Sequence, residues 1–313
     1  MNQNDYSLQR YLSAKRTVDD RSLSQRVWRR LEDLINFTYG IVPLKMLEIG
    51  CGTGAMLYRM LDACLFKKLE YLGIDSVEEN IQEANLSLPI WAQKNGWRLS
   101  QIQQGSILTC DSDYLQIHFE RKDFFDLLSV QPPAQLFDLI AAHAFLDLIH
   151  FPGVMQNLVA LTEPGGLWYF TINFDGLTIL EPEIDPVFDE EVMRLYHLTM
   201  DERKINGVPS GDSRTGRRLF TWLRKVGMEI LEAGSSDWVV FSQNGQYPAD
   251  EGYFLSFLLD TIYKALAGNP VLDQKRFESW TLRRQQQIEQ RELVYIAHQM
   301  DFLARKPLSH DSR

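Results

Sequence analysis

Three glycines two residues apart, Gly50, Gly52 and Gly54 in GCGTG, stand where the apolar run Leu44–Ile49 gives way to the helical period of GAMLYRMLDACL. Glycine turns sharply with positive φ and lets a ligand approach the backbone without meeting a β-carbon. Between a strand and a helix, such a turn is a cradle for a ligand. Asp75 ends a second apolar run at 69–74 (LEYLGI), where a carboxylate can accept the two hydroxyls of a ribose through charge-assisted bonds. His143 follows the apolar run at 137–142, at the strand end where open sheets place ligands. It is the candidate general base if a proton has to leave a hydroxyl. Tyr11, Asp147, Asn173, Asp175, Arg214 and Arg218 are further polar groups able to line a substrate pocket. Arg217 and Arg218 could meet a carboxylate or phosphate, or simply pair with nearby Asp212.

Other chemistries lack their residues. HEXXH, a GKS/T phosphate loop, a GxSxG elbow and paired cysteines are absent, and the glycine spacing is not the GxGxxG of dinucleotide enzymes. Cys51, Cys64 and Cys110 are odd in number and show no CxxC spacing, so no disulfide framework or metal site is indicated and a reducing compartment fits. Acidic residues outnumber basic ones 42 to 32, for a net charge of −10, which makes a nucleic-acid partner a poor first expectation. Arg214, Arg217, Arg218, Arg224 and Lys225 form a basic patch, read as a solvated helix face or an anion site in preference to an RNA surface. No apolar run reaches membrane length, because even LFDLIAAHAFLDLIHF carries Asp138, His143 and Asp147. A cytoplasmic location is expected.

Elements that position these residues are legible in the apolar periodicity. Val27, Trp28, Leu31, Leu34 and Ile35 mark an amphipathic helix before the first strand. Strands then alternate with helices, with further strands at 137–142 and at LWYFTINF, which implies a mostly parallel sheet with right-handed crossovers. Two stretches compete to be the third strand, WRLSQIQQGSIL and YLQIHFERKDFF. The second is preferred because it leaves room for one short helix before the next strand, and the first then becomes an inserted strand or hairpin. A helix at 215–226 precedes a strand in MEILEAGSSDWVVF. Residues 249–290 have helical period before a last strand, LVYIAHQMDF. Tyr253, Phe254, Phe257 and Leu258 form a stripe there that reads first as core.

The stretch LEIGCGTGAM at 47–56 closely resembles the first motif of the class I S-adenosylmethionine-dependent methyltransferases, and the resemblance is good from about 44 to 174. It implies a Rossmann-like, doubly wound α/β fold with a mostly parallel seven-stranded sheet, helices on both faces and a helical cap inserted before the last strand. The corresponding division is an N-terminal helical segment at 1–40, a core at 41–248, the cap at 249–290, and the last strand with a tail at 291–313. The cap and the segment YLSAKRTVDDR are expected to shape the acceptor site together. The resemblance further implies S-adenosyl-L-methionine as cofactor, held by Glu48, Gly50, Cys51, Gly52, Thr53, Gly54, Asp75 and Ser76. Asp123 and Phe124 would meet adenine, with Ser106 and Ile107 as the competing pair, while Ala142 and His143 would pass the methionine half.

A small-molecule acceptor with an O or C nucleophile is favoured, because the Asn/Asp-Pro-Pro-aromatic tetrapeptide of many amino-group methylases is replaced by His143-Ala144-Phe145. The other readings are a non-catalytic S-adenosylmethionine-binding sensor or scaffold and an RNA methyltransferase. Tyr11, Asp147, Asn173 and Arg218 are the candidate acceptor residues.

Overall fold

The computed structural model describes residues 6–38, 43–129, 132–205 and 207–308. The expected division at 40/41 and the ends of the chain, 1–5 and 309–313, lie outside them. In chain order the elements are α1 (Leu8–Ser22), α2 (Gln25–Thr38), β1 (Leu44–Ile49), α3 (Ala55–Asp62), β2 (Lys68–Asp75), α4 (Glu78–Lys94), β3 (Arg98–Gln101), β4 (Ser106–Cys110) and β5 (Asp113–Arg121). They continue with α5 (Phe124–Ser129), β6 (Phe137–His143), α6 (Met155–Leu161), β7 (Thr162–Glu181), α7 (Pro186–Asp201), β8 (Lys204–Ile205), β9 (Val208–Pro209) and α8 (Thr215–Lys225). The chain closes with β10 (Glu229–Ser235), β11 (Trp238–Val240), α9 (Glu251–Leu266), α10 (Gln274–Glu289) and β12 (Val294–Arg305).

The sheet runs in the order β10-β12-β7-β6-β1-β2-β5-β4-β3, and β11 pairs with β12. Strands β5, β2, β1, β6 and β7 are parallel, while β12 lies antiparallel between β7 and β10. β1 is buried on both faces, with its four central and C-terminal residues Met46, Leu47, Glu48 and Ile49 inaccessible, as parallel strands covered by helices must be. From β1 the chain winds one way to β2 and β5 and the other way to β6 and β7, so the crevice beyond the C-terminal ends of β1 and β6 is the topological switch point.

The expected mostly parallel seven-stranded sheet is therefore corrected to a mixed sheet of ten strands among the described residues. The third strand is YLQIHFERKDFF, as preferred, and WRLSQIQQGSIL forms the β3–β4 hairpin on its edge. The expected strand in MEILEAGSSDWVVF breaks into β10 and β11, both antiparallel to β12. Helices α9 and α10 stand just before that last strand, α9 packing against α1 and α7. No helix among the described residues is long and apolar enough to cross a membrane.

β7 outruns its neighbour. It pairs with β6 as far as Thr171, turns through a left-handed Ile172 (φ 55°), and continues along β12 alone to Glu181. The kink is held by Asp301 of β12, whose carboxylate accepts from the N–H of Ile172 at 2.7 Å and from the N–H of Ser24, between α1 and α2, at 2.8 Å. Replacing Asp301 with alanine strands two backbone donors and should cost about 3 kcal/mol in urea unfolding. Burial pushes the Asp301 carboxyl up to about 6. The folded state thus binds a proton that the unfolded state, titrating near 4, releases, so this group adds stability as pH falls from about 7 to 5. The gap between wild type and D301A should widen over that window; a gap that narrows would contradict the assignment.

Candidate functional site

A cavity of about 790 Å³ opens at the switch point. Its floor is the glycine turn, with φ of 63° at Gly50 and 54° at Gly52. A β-carbon on Gly50 would lie 2.5 Å from Phe145 Cδ2, whereas one on Gly52 would point into open space, with only Leu12 Cδ1 at 4.0 Å. Close packing explains the first glycine and ligand access the second. The N–H of Cys51 donates to the carbonyl of Ile74 at 3.0 Å, and the N–H of Gly52 donates to Asp75 Oδ2 at 3.0 Å, so the turn is laced to the end of β2. Asp75 Oδ1 also accepts from the N–H of Val77 at 2.9 Å and from Asn80 Nδ2 at 3.3 Å. Three of the roughly four lone-pair sites of the carboxylate are taken, and the remainder faces the cavity.

Glu48 lies beneath this floor, buried, accepting from the Tyr71 hydroxyl at 2.8 Å. Burial pushes its carboxyl up to about 7, with Tyr71 and Arg59 pulling the other way. Asp123 sits at the rim, where Oδ1 accepts from the N–H of Phe125 at 2.8 Å and so starts α5, and the ring of Phe124 is buried beside it. Both border the cavity, together with Cys51, Thr53 and Ser76. The competing pair, Ser106 and Ile107, lies in the edge hairpin, where Ser106 Oγ donates to Gln101.

The wall opposite the turn is charged and buried. Asp19 on α1 accepts from Lys15 Nζ at 2.5 Å, from Trp238 Nε1 at 2.9 Å and from His143 Nε2 at 3.0 Å, with Arg59 Nη2 at 3.9 Å. Those cations and the imidazole hydrogen bond hold Asp19 well below the usual carboxylate range despite its burial. His143 contacts Thr171 Oγ1 through Nδ1 at 2.8 Å. A carboxylate cannot donate, so the Nε2–H points at Asp19 and Nδ1 accepts from Thr171. Burial brings the imidazole down to about 4, against the pull of Asp19. His143 borders the cavity, and its two ring nitrogens tie β6 to Asp19 of α1 and to Thr171 of β7.

Beyond His143 the cavity widens into an aromatic chamber. Tyr11 stacks on Phe257 at 4.0 Å and on Phe254 at 5.7 Å, so the stripe expected to be core divides, Phe254 facing inward and Phe257 with Leu258 lining the cavity. Asp147, Phe174, Tyr196, Trp238 and Tyr295 complete the lining. Six expected residues do not border it, Asp175 and Arg214 among them. Gly54 starts α3 and faces Phe119 and Tyr58. Ala142 is buried in β6. Asn173 donates to the carbonyl of Met300 at 2.8 Å inside the sheet. Arg218 pairs with Asp212, and Arg217 with Asp175 at 2.8 Å. Lys15 and Asp19 lie in the segment YLSAKRTVDDR expected at the site without being singled out there, and Tyr196, Trp238 and Tyr295 went unnoticed. Only Lys15 and Asp19 left a signal, an acid four residues after a lysine on one helical face. Among the described residues no group of His, Cys, Asp or Glu side chains is arranged to hold a metal ion.

A family profile described as a methyltransferase domain matches residues 23–233. No curated protein matches the chain by sequence. Among solved structures, the [4+2]-cyclase SpnF is similar at a TM-score of 0.42 and 16% identity, over 90% of this chain and 82% of its own. The cyclopropane synthase MmaA2 of Mycobacterium tuberculosis is similar at 0.44 and 11%, over 97% and 100%. A SAM-dependent methyltransferase of Thiobacillus denitrificans, solved with S-adenosyl-L-homocysteine, is similar at 0.44 and 14%, over 90% and 92%. Likenesses this loose say nothing about substrate.

Proposed function

Because the chain belongs to the methyltransferase-domain family and is an S-adenosylmethionine-dependent enzyme, we propose that it methylates a small molecule enclosed with the donor in the cavity at the switch point. The observation that carries this reading is continuity. One cavity of about 790 Å³ runs from the glycine turn to the chamber under α1 and α9, a size that suits a donor and a modest acceptor. Its residues fit the donor: the open side of Gly52 gives room beside the backbone, and Asp75 has lone-pair capacity left for a ribose hydroxyl. When bound, S-adenosylmethionine supplies a methyl group on an already activated sulfonium. The protein's part is alignment and the exclusion of water.

In this reading Asp75 and Ser76 hold the ribose, Asp123 and Phe124 the adenine, and Glu48 with the turn 50–53 the remainder of the donor. Tyr11 and Asp147 face the acceptor. The pairing of Arg217 and Arg218 with Asp175 and Asp212 takes two arginines out of the basic patch and favours a small acceptor over RNA. Calorimetric titration with S-adenosylmethionine and S-adenosylhomocysteine tests the donor site. Asp75→Ala should weaken both about tenfold to a hundredfold, the worth of one or two charge-assisted hydrogen bonds. Release of S-adenosylhomocysteine on adding extract fractions tests turnover. A folded wild type that binds neither compound would refute the reading.

A further inference from the structure

Among the described residues, one oxygen of the Asp147 carboxylate is left without a hydrogen-bond partner. Asp147 stands on the 3-10 turn Leu146–Leu148 just past the end of β6 and borders the cavity, and the oxygen, Oδ1, is buried. The charges facing it are otherwise engaged. Lys15 bonds Asp19, Arg203 donates to the carbonyls of Ser210 at 2.7 Å and Leu148 at 2.9 Å, and Asp212 pairs with Arg218. Tyr11 and Tyr196 are close enough to feel its charge. The surrounding surface is aromatic, from Phe174, Trp238, Phe257 and Tyr295. Leu8, Phe125 and Leu148 leave an exposed apolar rim at the mouth.

A buried carboxylate oxygen without a donor costs free energy until a ligand supplies one. Arg203 and Lys15 lend the chamber positive charge that Asp147 and Asp19 already balance, so a cationic acceptor would add an uncompensated charge and an anionic one would face Asp147. Resting on the methyltransferase reading, we infer that the acceptor is an uncharged aromatic alcohol and that Asp147 takes its proton. The acceptor oxygen bonds the methyl carbon, the carbon–sulfur bond breaks with its electron pair going to sulfur, and the O–H proton passes to Asp147 Oδ1 and from there to water. Burial lifts the Asp147 carboxyl to about 6, so it is ionised at neutral pH and still a stronger base than an ordinary carboxylate.

The test uses 4-nitrophenol and its methyl ether 4-nitroanisole as probes on the full chain near neutral pH. Asp147→Asn keeps the side chain's shape and removes its charge and basicity, leaving a neutral amide oxygen that accepts a weaker hydrogen bond. It should weaken 4-nitrophenol binding about tenfold or more and leave 4-nitroanisole unchanged, because only the phenol donates a hydrogen bond. In the wild type the visible phenolate band of bound 4-nitrophenol should emerge at higher pH than in solution, and in D147N that displacement should vanish. Equal 4-nitrophenol affinity in the two proteins, or no binding of either probe to the wild type, would overturn the inference. Calorimetry with S-adenosylmethionine on the same samples reports the donor site separately, so a failed donor reading is told apart from a failed role for Asp147.

Discussion

Replacing Gly52 with arginine should weaken S-adenosylmethionine binding by about a hundredfold or more, at a cost to stability of only about 1–2 kcal/mol for a side chain forced to positive φ. The asymmetry follows from where the two turn glycines face. Gly50 is packed against Phe145, and a side chain there would push the turn itself out of place. Gly52 meets only Leu12, at 4.0 Å, so an arginine would extend into the cavity and occupy the donor's volume while the turn stays tied to Ile74 and Asp75. Calorimetry beside a thermal melt separates the two effects. Donor affinity within threefold of wild type in G52R would mean that the donor does not lie over this turn.

Asp19→Ala should cost about 3–5 kcal/mol in chemical denaturation at neutral pH, the range for breaking one side of a buried ion pair. The carboxylate serves Lys15, Trp238 and His143 directly, and Arg59 stands nearby. Removing it leaves the buried Lys15 and Arg59 without their carboxylate. The pH dependence has a definite sign. The folded carboxylate of Asp19 titrates below its unfolded value, so its contribution is complete above the unfolded value and fades only as pH falls through the folded one. His143 is neutral in the fold, at about 4, and titrates near 6.5 when unfolded; the unfolded chain takes up the extra proton, and wild-type stability should fall from about pH 6.5 to 4. A loss under 1 kcal/mol for D19A would show that the network is solvated and not a buried clamp.

The switch-point end of the cavity was legible because it is made of strand ends. Apolar runs located β1, β2 and β6, the glycines marked the turn, and Asp75 fell at the end of β2. Room for one short helix selected β5 over the hairpin beside it. The chamber end was less readable. α1 turns Lys15 and Asp19 inward, and two charges on the buried face blur the apolar period by which a helix is recognised. α7 and the β8–β9 hairpin gave no distinctive signal, which hid Tyr196 and Arg203. His143 was located correctly on β6, but its partners Asp19 and Thr171 lie 124 and 28 residues away, so its ties to α1 and β7 left no trace in the sequence. Arg218 makes the blander of its two expected contacts, the pairing with Asp212.

Tyr11, Tyr196, Phe257 and Tyr295 reach the chamber from α1, α7, α9 and β12, four segments far apart in the chain, while Gly52 and Asp75 belong to two adjacent strand ends. This separates what can diverge from what cannot. Each chamber wall can be recut by substitutions in its own segment, changing which molecules are accepted, without disturbing the backbone that meets the donor. Descendants of such a scaffold could change customers while keeping a single supply line, with Asp19 of α1 bonded both to Trp238 in the changeable wall and to His143 at the end of β6.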